Sequence, residues 1–383
     1  MMSTAAIVKA VRSVVGLGQV GLHVPSIGLA ETESMNACMA RDPVSYYALD
    51  AFQVKVAEAC GVEQSFCVSS GTAALHLALL VTGVEAFQEV LVPAMTFVAT
   101  ANAVAYCGAI PNFIDVRSWD LGVNPFKLGR YLQRTCEKRE TGTYNKTTGR
   151  KVAALIVTDL LGVPAALDEL KAEAGRWGLP VIEDAAEALG SRYKGRPCGS
   201  NGHVGVVSFN NNKIVTTNGG GALLTDDPFT QAHAWELGTT ARVGHPWRMG
   251  NHTRVAYNYR MGNINAALGQ PQLDRLEELV AHKQKLHAAY LDAGLNVALE
   301  GEQDSTSRWN CWLIPLTLDP LDHRRDEICA ALHAEGIAGR TLFTPLHELP
   351  MYKQCPRDNL EGTMALWRQT ICLPSSPKLG ERL

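Results

Sequence analysis

The sequence has no marked excess of charge and little that would suggest a metal or disulfide framework. Its 383 residues include 35 basic and 38 acidic side chains, a formal net charge of −3, so neither nucleic acid nor an anionic membrane surface is an expected partner. The ten cysteines form no CxxC pair and no cluster with histidine, which argues against a structural zinc site and favours a reducing, cytoplasmic compartment. No apolar run approaches the roughly 20 residues that a membrane-spanning helix needs.

The first glycine-rich motif of the chain is a weak signal for a dinucleotide-binding dehydrogenase. Gly16, Gly18 and Gly21 have G-x-G-x-x-G spacing after an apolar run. A helix should start at such a loop and continue, but Pro25 and Gly28 interrupt the segment. No second strand ending in an acidic residue follows at the required distance. The sequence therefore favours a short amphipathic helix followed by a linker.

From Tyr46 onwards, predicted strands alternate with predicted helices. Strands are expected at 64–68, 89–92, 112–116, 152–157, 180–184 and 204–209, and helices at 49–60, 73–81, 98–106 and 167–177. This alternation predicts an α/β fold with a mostly parallel central sheet covered by helices on both faces. The polar stretch 136–151 is expected to be an exposed excursion from that fold.

The C-terminal part predicts a second, smaller α/β domain. A long amphipathic helix is expected at 273–289, followed by a strand at 312–316 and a helix at 326–333. The chain is accordingly divided into an N-terminal helix and lead-in segment (1–50), a large domain (51–270) and a linking helix with a small domain (271–383).

One lysine stands at a position typical of a reactive amine. In the string VGVVSFNNNKIVTTNGGGALL, an apolar run predicts a buried strand, three asparagines predict a turn, and Lys213 follows directly. A lysine held at the end of a buried strand can lose its proton and attack an aldehyde. Ser208, at the end of that strand, can meet an anion. The alternative is an ordinary lysine in a solvated loop.

Two further strand ends carry residues that suit a flat, anionic ligand. Ser70, Gly71 and Thr72 lie between a strand and a helix, where free backbone N–H groups point at an anion. Ser70 or Thr72 can also be a simple helix cap. Phe97 lies where a strand meets the next helix and can stack on a flat ring, the alternative being ordinary core packing.

Asp184 ends a buried strand and needs a partner. A protonated pyridine nitrogen is one candidate, and a helix N-terminus is the other. A carboxylate against a pyridinium is a charge-assisted bond worth about 1.5–3 kcal/mol. An anion site, a stacking ring, a carboxylate for a ring nitrogen and a lysine for an aldehyde together predict pyridoxal 5′-phosphate (PLP) as the cofactor.

Five strings occur in order and together resemble the DegT/StrS-type sugar-nucleotide aminotransferases: SSGTAALHLAL, VLVPAMTFVATANAVAYCGAIPNFIDV, VIEDAAEALGS, VSFNNNKIVTTNGGGAL and YNYRMGNINAALGQPQLDRL. The resemblance extends from about Leu22 to about Pro374. It implies a PLP enzyme of fold type I that forms a homodimer with the active site at the interface. The residues that it assigns to the cofactor are Lys213 (Schiff base), Asp184 (pyridine nitrogen), Phe97 (stacking), Gly71, Thr72 and Ser208 (phosphate), Glu187, and Asn258, which reaches the phosphate in the neighbouring subunit.

The sequence also departs from the family pattern. Asn211 stands where relatives mostly have glycine, Asp159 stands where the most similar branch has histidine, and residues 42–49 match poorly to the loop that helps form the sugar pocket. These departures concern the substrate rather than the cofactor. Lys213 stands where dehydratase relatives carry histidine.

The expected activity is the transfer of an amino group from glutamate to the C4 ketone of a nucleotide-linked 4-keto-6-deoxy sugar. The strings YNKTTGR and LHELPMYKQCPR resemble the branch that makes legionaminic-acid-type sugars, which favours a UDP-linked 2-acetamido-2,6-dideoxy-4-keto hexose and a role in bacterial surface-glycan synthesis. His347 and Tyr352 are candidates to face the substrate. The alternatives are a PLP-dependent deoxysugar dehydratase and a non-catalytic regulator with the same fold.

Overall fold

The computed structural model describes residues 2–41, 45–117, 121–244, 250–299 and 305–383. Its helices are α1 (Thr4–Val15), α2 (Leu29–Arg41), α3 (Tyr47–Cys60), α4 (Gly71–Val81), α5 (Val98–Tyr106), α6 (Pro125–Thr135), α7 (Leu167–Arg176), α8 (Pro228–Gly238), α9 (Asn263–Asp274), α10 (Leu276–Asp292), α11 (Arg325–Ala334), α12 (Glu361–Gln369) and α13 (Pro377–Glu381). Short 3₁₀ turns lie at Leu160–Gly162, Leu346–Glu348 and Pro350–Tyr352.

The strands occur mainly in the middle of the chain. They are β1 (Gln64–Val68), β2 (Glu89–Pro93), β3 (Ile110–Ile114), β4 (Cys136–Arg139), β5 (Gly142–Asn145), β6 (Lys151–Thr158), β7 (Val181–Asp184), β8 (Arg192–Tyr193), β9 (Arg196–Pro197), β10 (Val204–Ser208), β11 (Gly221–Thr225), β12 (Ile314–Thr317), β13 (Arg340–Thr341) and β14 (Thr370–Leu373).

The central sheet has the order β1-β11-β10-β7-β6-β2-β3. The pairs β10–β7, β7–β6, β6–β2 and β2–β3 are parallel, whereas β11 is antiparallel to both of its neighbours. The predicted mostly parallel sheet is therefore confirmed. Because the carboxyl ends of parallel strands share one edge, that edge is where this architecture places a ligand.

Both faces of the sheet are buried, which explains the nearly continuous apolar strands. Along β6, Leu155 and Val157 belong to one hydrophobic cluster, and Ala154 and Ile156 belong to another. Side chains alternate between the two faces of a strand, so each cluster covers one face. Helices α4, α5 and α8 contribute to the second cluster, and α3, α6 and α7 contribute to the first.

The C-terminal segment forms a separate antiparallel sheet in the order β12-β14-β13. The N-terminal helix α1 packs against α10 and α11 of this part of the chain, and the Val20 and Ile337 backbones are bridged. Helices α2 and α3 pack instead against α9. The division at residues 50 and 270 stays a prediction.

Two local expectations were wrong. The stretch 136–151 is not simply exposed, because β4 and β5 form a hairpin whose second strand pairs with β6. The Asn145 amide is buried and donates to Glu89 Oε2 at 2.9 Å, so polar residues of this stretch satisfy a buried carboxylate. The helix expected at 273–289 is α10, which begins at Leu276 after a separate helix, α9.

The G-x-G-x-x-G motif has no dinucleotide geometry. Gly16 caps the C-terminus of α1 with φ 79°, so the glycines follow a helix instead of opening one. This agrees with the rejection of a dehydrogenase fold from the sequence.

Candidate active site

A cavity of about 230 Å³ lies beyond the carboxyl ends of β1, β2, β6, β7 and β10. Its walls come from the loops that follow these strands and from the C-terminal segment. The lining residues are Ser70, Gly71, Thr72, Leu75, Thr96, Phe97, Ala99, Thr100, Thr158, Asp184, Ala186, Glu187, Ser208, Asn210, Asn212, Lys213, Gly220, Trp312, Arg340 and Phe343.

Seven of the eight residues that the sequence assigns to a cofactor site line this one cavity. They are Gly71, Thr72, Phe97, Asp184, Glu187, Ser208 and Lys213. Asn258 does not line it; its side chain is exposed and its backbone is bridged to that of Thr239. The remaining candidates, His347 and Tyr352, do not line it either, and the Tyr352 hydroxyl donates to Asn102 Oδ1 at 2.5 Å.

Lys213 enters the cavity from the turn after β10. Its backbone N–H donates to the Asn210 carbonyl at 3.0 Å, which closes the turn. The Nζ atom lies 3.7 Å from Glu187 Oε1 and 3.9 Å from the centroid of the Trp312 ring. Burial lowers the pKa of the Lys213 amine, and the carboxylates of Glu187 and Asp184 oppose this effect. The lowered pKa favours the neutral amine, which is the nucleophilic form.

Asp184 ends β7 with its carboxylate in the cavity wall. Oδ2 accepts a hydrogen bond from the Thr100 hydroxyl at 2.8 Å, and Oδ1 accepts one from the Ala186 N–H at 3.3 Å. Thr96 lies 3.1 Å from Thr100 and extends this hydroxyl chain. Burial raises the pKa of Asp184, while the Thr100 hydrogen bond lowers it. A cationic partner in the cavity would favour the ionised carboxylate.

Glu187 faces Lys213 and is held by the loop after β6. Its Oε2 accepts the Leu161 N–H at 2.7 Å, and Leu161 adopts the left-handed region with φ 57°. Burial raises the pKa of Glu187, and the Lys213 ammonium lowers it. Because such a backbone conformation is unfavourable for leucine, the N–H is fixed at this carboxylate by the surrounding structure.

The opposite end of the cavity is suited to an anion. Helix α4 begins at Gly71, and Ser70 Oγ accepts the Ala73 N–H at 3.1 Å, which confirms the predicted cap. A Cβ atom on Gly71 would lie 2.9 Å from the Ser208 Cβ. Only glycine allows the helix N-terminus and Ser208 to approach this closely. Helix N–H groups and a serine hydroxyl therefore converge at one place.

The cavity residues that the sequence analysis did not single out include Trp312, Arg340 and Phe343. Trp312 Nε1 donates to the Asn212 carbonyl at 2.8 Å, next to Lys213, and the Phe343 ring lies 5.4 Å from the Phe97 ring. These residues come from the C-terminal segment, more than 95 positions after Lys213. No motif marks them, so only the tertiary structure could place them here.

Outside the cavity lining, the buried side chains of Asp159, Glu183 and Cys198 lie close enough together to hold a metal ion. Glu183 accepts backbone N–H groups from Gly199 and Asn201 at 2.7 and 2.6 Å. Burial and the nearby Glu183 raise the pKa of Asp159 well above its usual range. Because backbone donors already use the Glu183 oxygens, a proton shared with Asp159 explains the pair better than a metal ion does.

Comparison with known proteins agrees with this geometry. Residues 26–382 match the DegT/DnrJ/EryC1/StrS aminotransferase family. The chain belongs to this family. It is 36% identical to EpsN of Bacillus subtilis, described as a pyridoxal phosphate-dependent aminotransferase, over 87% of this chain and 84% of the relative. It is 31% identical to a GDP-perosamine synthase of Caulobacter vibrioides over 95% of each chain.

Solved structures place this aminotransferase among the PLP enzymes of fold type I. The aminotransferase TlmJ from Streptoalloteichus hindustanus superposes with a TM-score of 0.81 at 27% identity, covering 94% of each chain. DesI, solved with its TDP-sugar product, gives a TM-score of 0.80 at 27% identity, covering 94% of this chain and 89% of DesI. In the described ranges, none of the helices is both long and apolar enough to cross a bilayer.

Proposed function

We propose that this aminotransferase binds PLP in the cavity and transfers the amino group of glutamate to the C4 ketone of a nucleotide-linked 4-keto-6-deoxy sugar. The observation that carries the proposal is the position of Lys213, whose amine lies 3.7 Å from Glu187 in a cavity that also contains the Asp184 carboxylate. The ten free thiols suit a reducing cytoplasm as the place of the reaction.

The cavity fits the phosphate end of PLP. Gly71 and Thr72 open α4, and the first N–H groups of a helix have no partner within that helix. Ser208 closes the opposite side, close enough that a Cβ on Gly71 would lie 3.1 Å from its Oγ. A dianionic phosphate is favoured by these donors and by the positive end of the helix dipole.

The cavity also fits the ring of PLP. Asp184, already oriented by Thr100, would hold the protonated ring nitrogen, and a charge-assisted bond of this kind is worth about 1.5–3 kcal/mol. Phe97 would cover one face of the ring, and its side chain is 51% exposed in this chain. Glu187 would orient the Lys213 amine from the other side.

When bound, PLP supplies a conjugated, electron-withdrawing ring. Lys213 would hold the cofactor through its aldehyde. The Nζ atom of Lys213 would take the α-proton of the amino donor and would deliver a proton to C4 of the sugar. The lowered pKa of Lys213 suits both steps, because the amine must exist in neutral and protonated forms in turn.

The proposed sugar substrate is supported by the family resemblance of two sequence strings more than by the position of those strings in the structure. Asn145 and Arg150 lie near Glu89, at the amino end of β2, whereas the cavity lies beyond its carboxyl end. The string from Leu346 is closer to the cavity edge, because the Leu346 N–H donates to the Ala94 carbonyl at 2.8 Å. Support for a UDP-linked 2-acetamido-2,6-dideoxy-4-keto hexose therefore comes from the family branch.

A homodimer with shared sites is part of the proposal. Asn258 is exposed in this chain and lies outside its own cavity, as expected of a residue that reaches a partner's phosphate. Mixed dimers of Lys213→Ala with Asn258→Ala should recover part of the activity, because one of the two sites is then intact. A fully active monomer would contradict this assembly.

The reaction is tested by mass spectrometry of products formed from glutamate and a panel of UDP-, GDP- and TDP-linked keto sugars. We expect a mass change that corresponds to replacement of the C4 carbonyl by an amine. Loss of the 3-hydroxyl would support a dehydratase instead. No product from any sugar, with an unchanged cofactor spectrum, would support a regulator.

A further inference from the structure

His76 places a polar side chain among the apolar residues of α4, the helix that begins at the proposed phosphate site. The sequence of α4 is GTAALHLALLV, and the imidazole of His76 is buried although no other side chain of this helix is titratable. Burying an imidazole has a cost unless the ring is hydrogen-bonded. Its Nδ1 atom lies 3.0 Å from the Tyr259 hydroxyl, which supplies that partner.

Three tyrosine rings surround the His76 ring. The ring centroids of Tyr257, Tyr259 and Tyr106 lie 4.8, 5.9 and 5.8 Å from it, each in an edge-to-face arrangement. Tyr257 and Tyr259 are also stacked on each other, with centroids 5.0 Å apart and an angle of 17° between the planes. Aromatic pairs in such geometries add to the stability that buried area alone provides. Two tyrosines of one segment are thereby fixed to α4.

These two tyrosines flank Asn258 in an extended segment. The Tyr259 carbonyl accepts the Ser69 N–H at 2.7 Å, so the segment runs beside the end of β1. Successive side chains of an extended segment point to opposite sides. Because both tyrosine rings contact His76, the Asn258 side chain points away from α4, where it is exposed.

The hydrogen bond between His76 and Tyr259 gives this contact a direction that apolar packing would not give. An apolar side chain at position 76 would avoid the cost of burying an imidazole. The hydrogen bond instead holds the Tyr259 hydroxyl at one point of α4. Since α4 begins at Gly71, with the N–H groups proposed for a phosphate, one helix holds both that site and the segment that carries Asn258.

We propose that His76 and Tyr259 are positioning residues for Asn258 and so determine how tightly the cofactor phosphate of the partner subunit is bound. This inference rests on the proposed function, in which Asn258 reaches the phosphate in the neighbouring subunit. Without the hydrogen bond, the two tyrosines lose their fixed position on α4. The Asn258 amide then adopts orientations that do not reach the phosphate, and PLP binding weakens.

Tyr259→Phe tests the inference, because it removes one hydroxyl and keeps the ring. Equilibrium dialysis measures the PLP affinity of the wild type, Tyr259→Phe, Asn258→Ala and the double variant. We expect the dissociation constant of PLP to rise about tenfold in Tyr259→Phe, which loses a neutral hydrogen bond, and about 30-fold in Asn258→Ala, which loses a bond to a charged group. The double variant should match Asn258→Ala alone, because Tyr259 acts through Asn258.

Two further variants and an assembly measurement complete the test. Tyr131→Phe is the matched control, because the buried Tyr131 hydroxyl donates to Asn112 Oδ1 at 2.7 Å on α6, outside the cavity lining. This control should bind PLP as the wild type does. His76→Asn keeps a hydrogen-bonding group near the position of Nδ1, so the expected loss of affinity is only about threefold. Sedimentation should show the same dimer for every variant.

Three results would overturn the inference. An unchanged PLP affinity in Tyr259→Phe or in Asn258→Ala would show that the segment does not act on the phosphate. Additive losses in the double variant would assign Tyr259 to the fold of its own subunit, and dissociation of the dimer in Tyr259→Phe would assign it to the interface. All three can occur in a protein that binds PLP and transaminates. A wild-type protein that binds no PLP would instead refute the proposed function, and the inference with it.

Discussion

Lys213 and Lys283 both have amines whose pKa is lowered by burial, but their surroundings differ. Lys283 lies on α10 with no exposed surface, and burial lowers its pKa to about 7. Its Nζ donates to the Trp312 carbonyl at 3.2 Å and to the Ser375 carbonyl. The Lys213 side chain is 13% exposed, faces Glu187, and lines the cavity.

The difference shows that a perturbed pKa does not by itself identify a reactive lysine. The Lys283 amine donates to two backbone carbonyls, and Lys283 does not line the cavity. Lys213 combines a lowered pKa with a neighbouring carboxylate and access to a ligand, which are the conditions for a nucleophile. Both lysines contact Trp312, since the Lys283 amine donates to its carbonyl and the Lys213 amine lies over its ring.

The largest expected effect is on activity. Lys213→Met should lower the rate of transamination on the order of 10⁴-fold, because proton transfer and covalent attachment both depend on this amine. Lys283→Met should keep at least about a tenth of the wild-type rate. Steady-state rates with saturating PLP measure both variants, and equal losses would remove the distinction between the two lysines.

The next effect is on stability, and it concerns Lys283. Its pKa is lowered from 10.5 to about 7 in the folded protein. Between these values the unfolded chain binds more protons than the native one, so the free energy of unfolding rises with pH in this window. The contribution is up to about 1.4 kcal/mol per pH unit, or about 4 kcal/mol from pH 7 to 10.

Denaturant unfolding of the wild type and of Lys283→Met at pH 7, 8, 9 and 10 measures this contribution as a difference. We expect the wild type to gain stability relative to the variant as the pH rises. A difference that stays constant with pH would mean that Lys283 keeps its charge in the native state.

The neighbouring acids Glu183 and Asp184 on β7 extend the comparison between a buried structural group and a group that lines the cavity. Asp184→Asn should lose about 100-fold in rate with little change in Tm, because its carboxylate faces the cavity. Glu183→Gln should instead lower the free energy of unfolding by about 1–3 kcal/mol, because Glu183 accepts backbone N–H groups. Activity assays and thermal unfolding of both variants should show opposite patterns; a full rate for Asp184→Asn would refute its role.

The smallest effect is expected at Trp312. Trp312→Phe removes the N–H donated to the Asn212 carbonyl, a loss of about 0.5–1.5 kcal/mol that should slow the reaction about three- to tenfold. Trp235→Phe on α8 is the control, because this side chain is 47% exposed and lies outside the cavity. A larger loss for the control than for Trp312→Phe would show that the contact has no role.

Much of the site is predictable from sequence because it is built from local motifs. A strand followed by a small polar turn and a helix places Gly71 and Thr72, and a strand ending in an acid places Asp184. Each motif fixes its own residues within a few positions of a strand end. The parallel sheet then brings these ends together at one edge, which explains why separate motifs form one cavity.

The remaining features depend on contacts between distant segments. Arg340 and Trp312 line the cavity from the C-terminal segment, far along the chain from the motifs that supply its other walls, and no local pattern distinguishes them. The hairpin at 136–145 was not predicted because Asn145 at its end and Thr148 just after it donate to the buried Glu89 carboxylate, whereas polarity in a sequence usually indicates exposure. Arg275 alone separates α9 from α10, so no turn sequence marks their boundary.

The central claim is that Lys213, and not Lys283, is the amine that holds the cofactor. Borohydride reduction of the PLP-saturated protein makes a lysine–pyridoxal linkage permanent, and peptide mapping by mass spectrometry then locates it. The account predicts the label on a peptide that contains Lys213, with the Lys283 peptide unmodified. A label on Lys283, or no label in protein saturated with PLP, would contradict it.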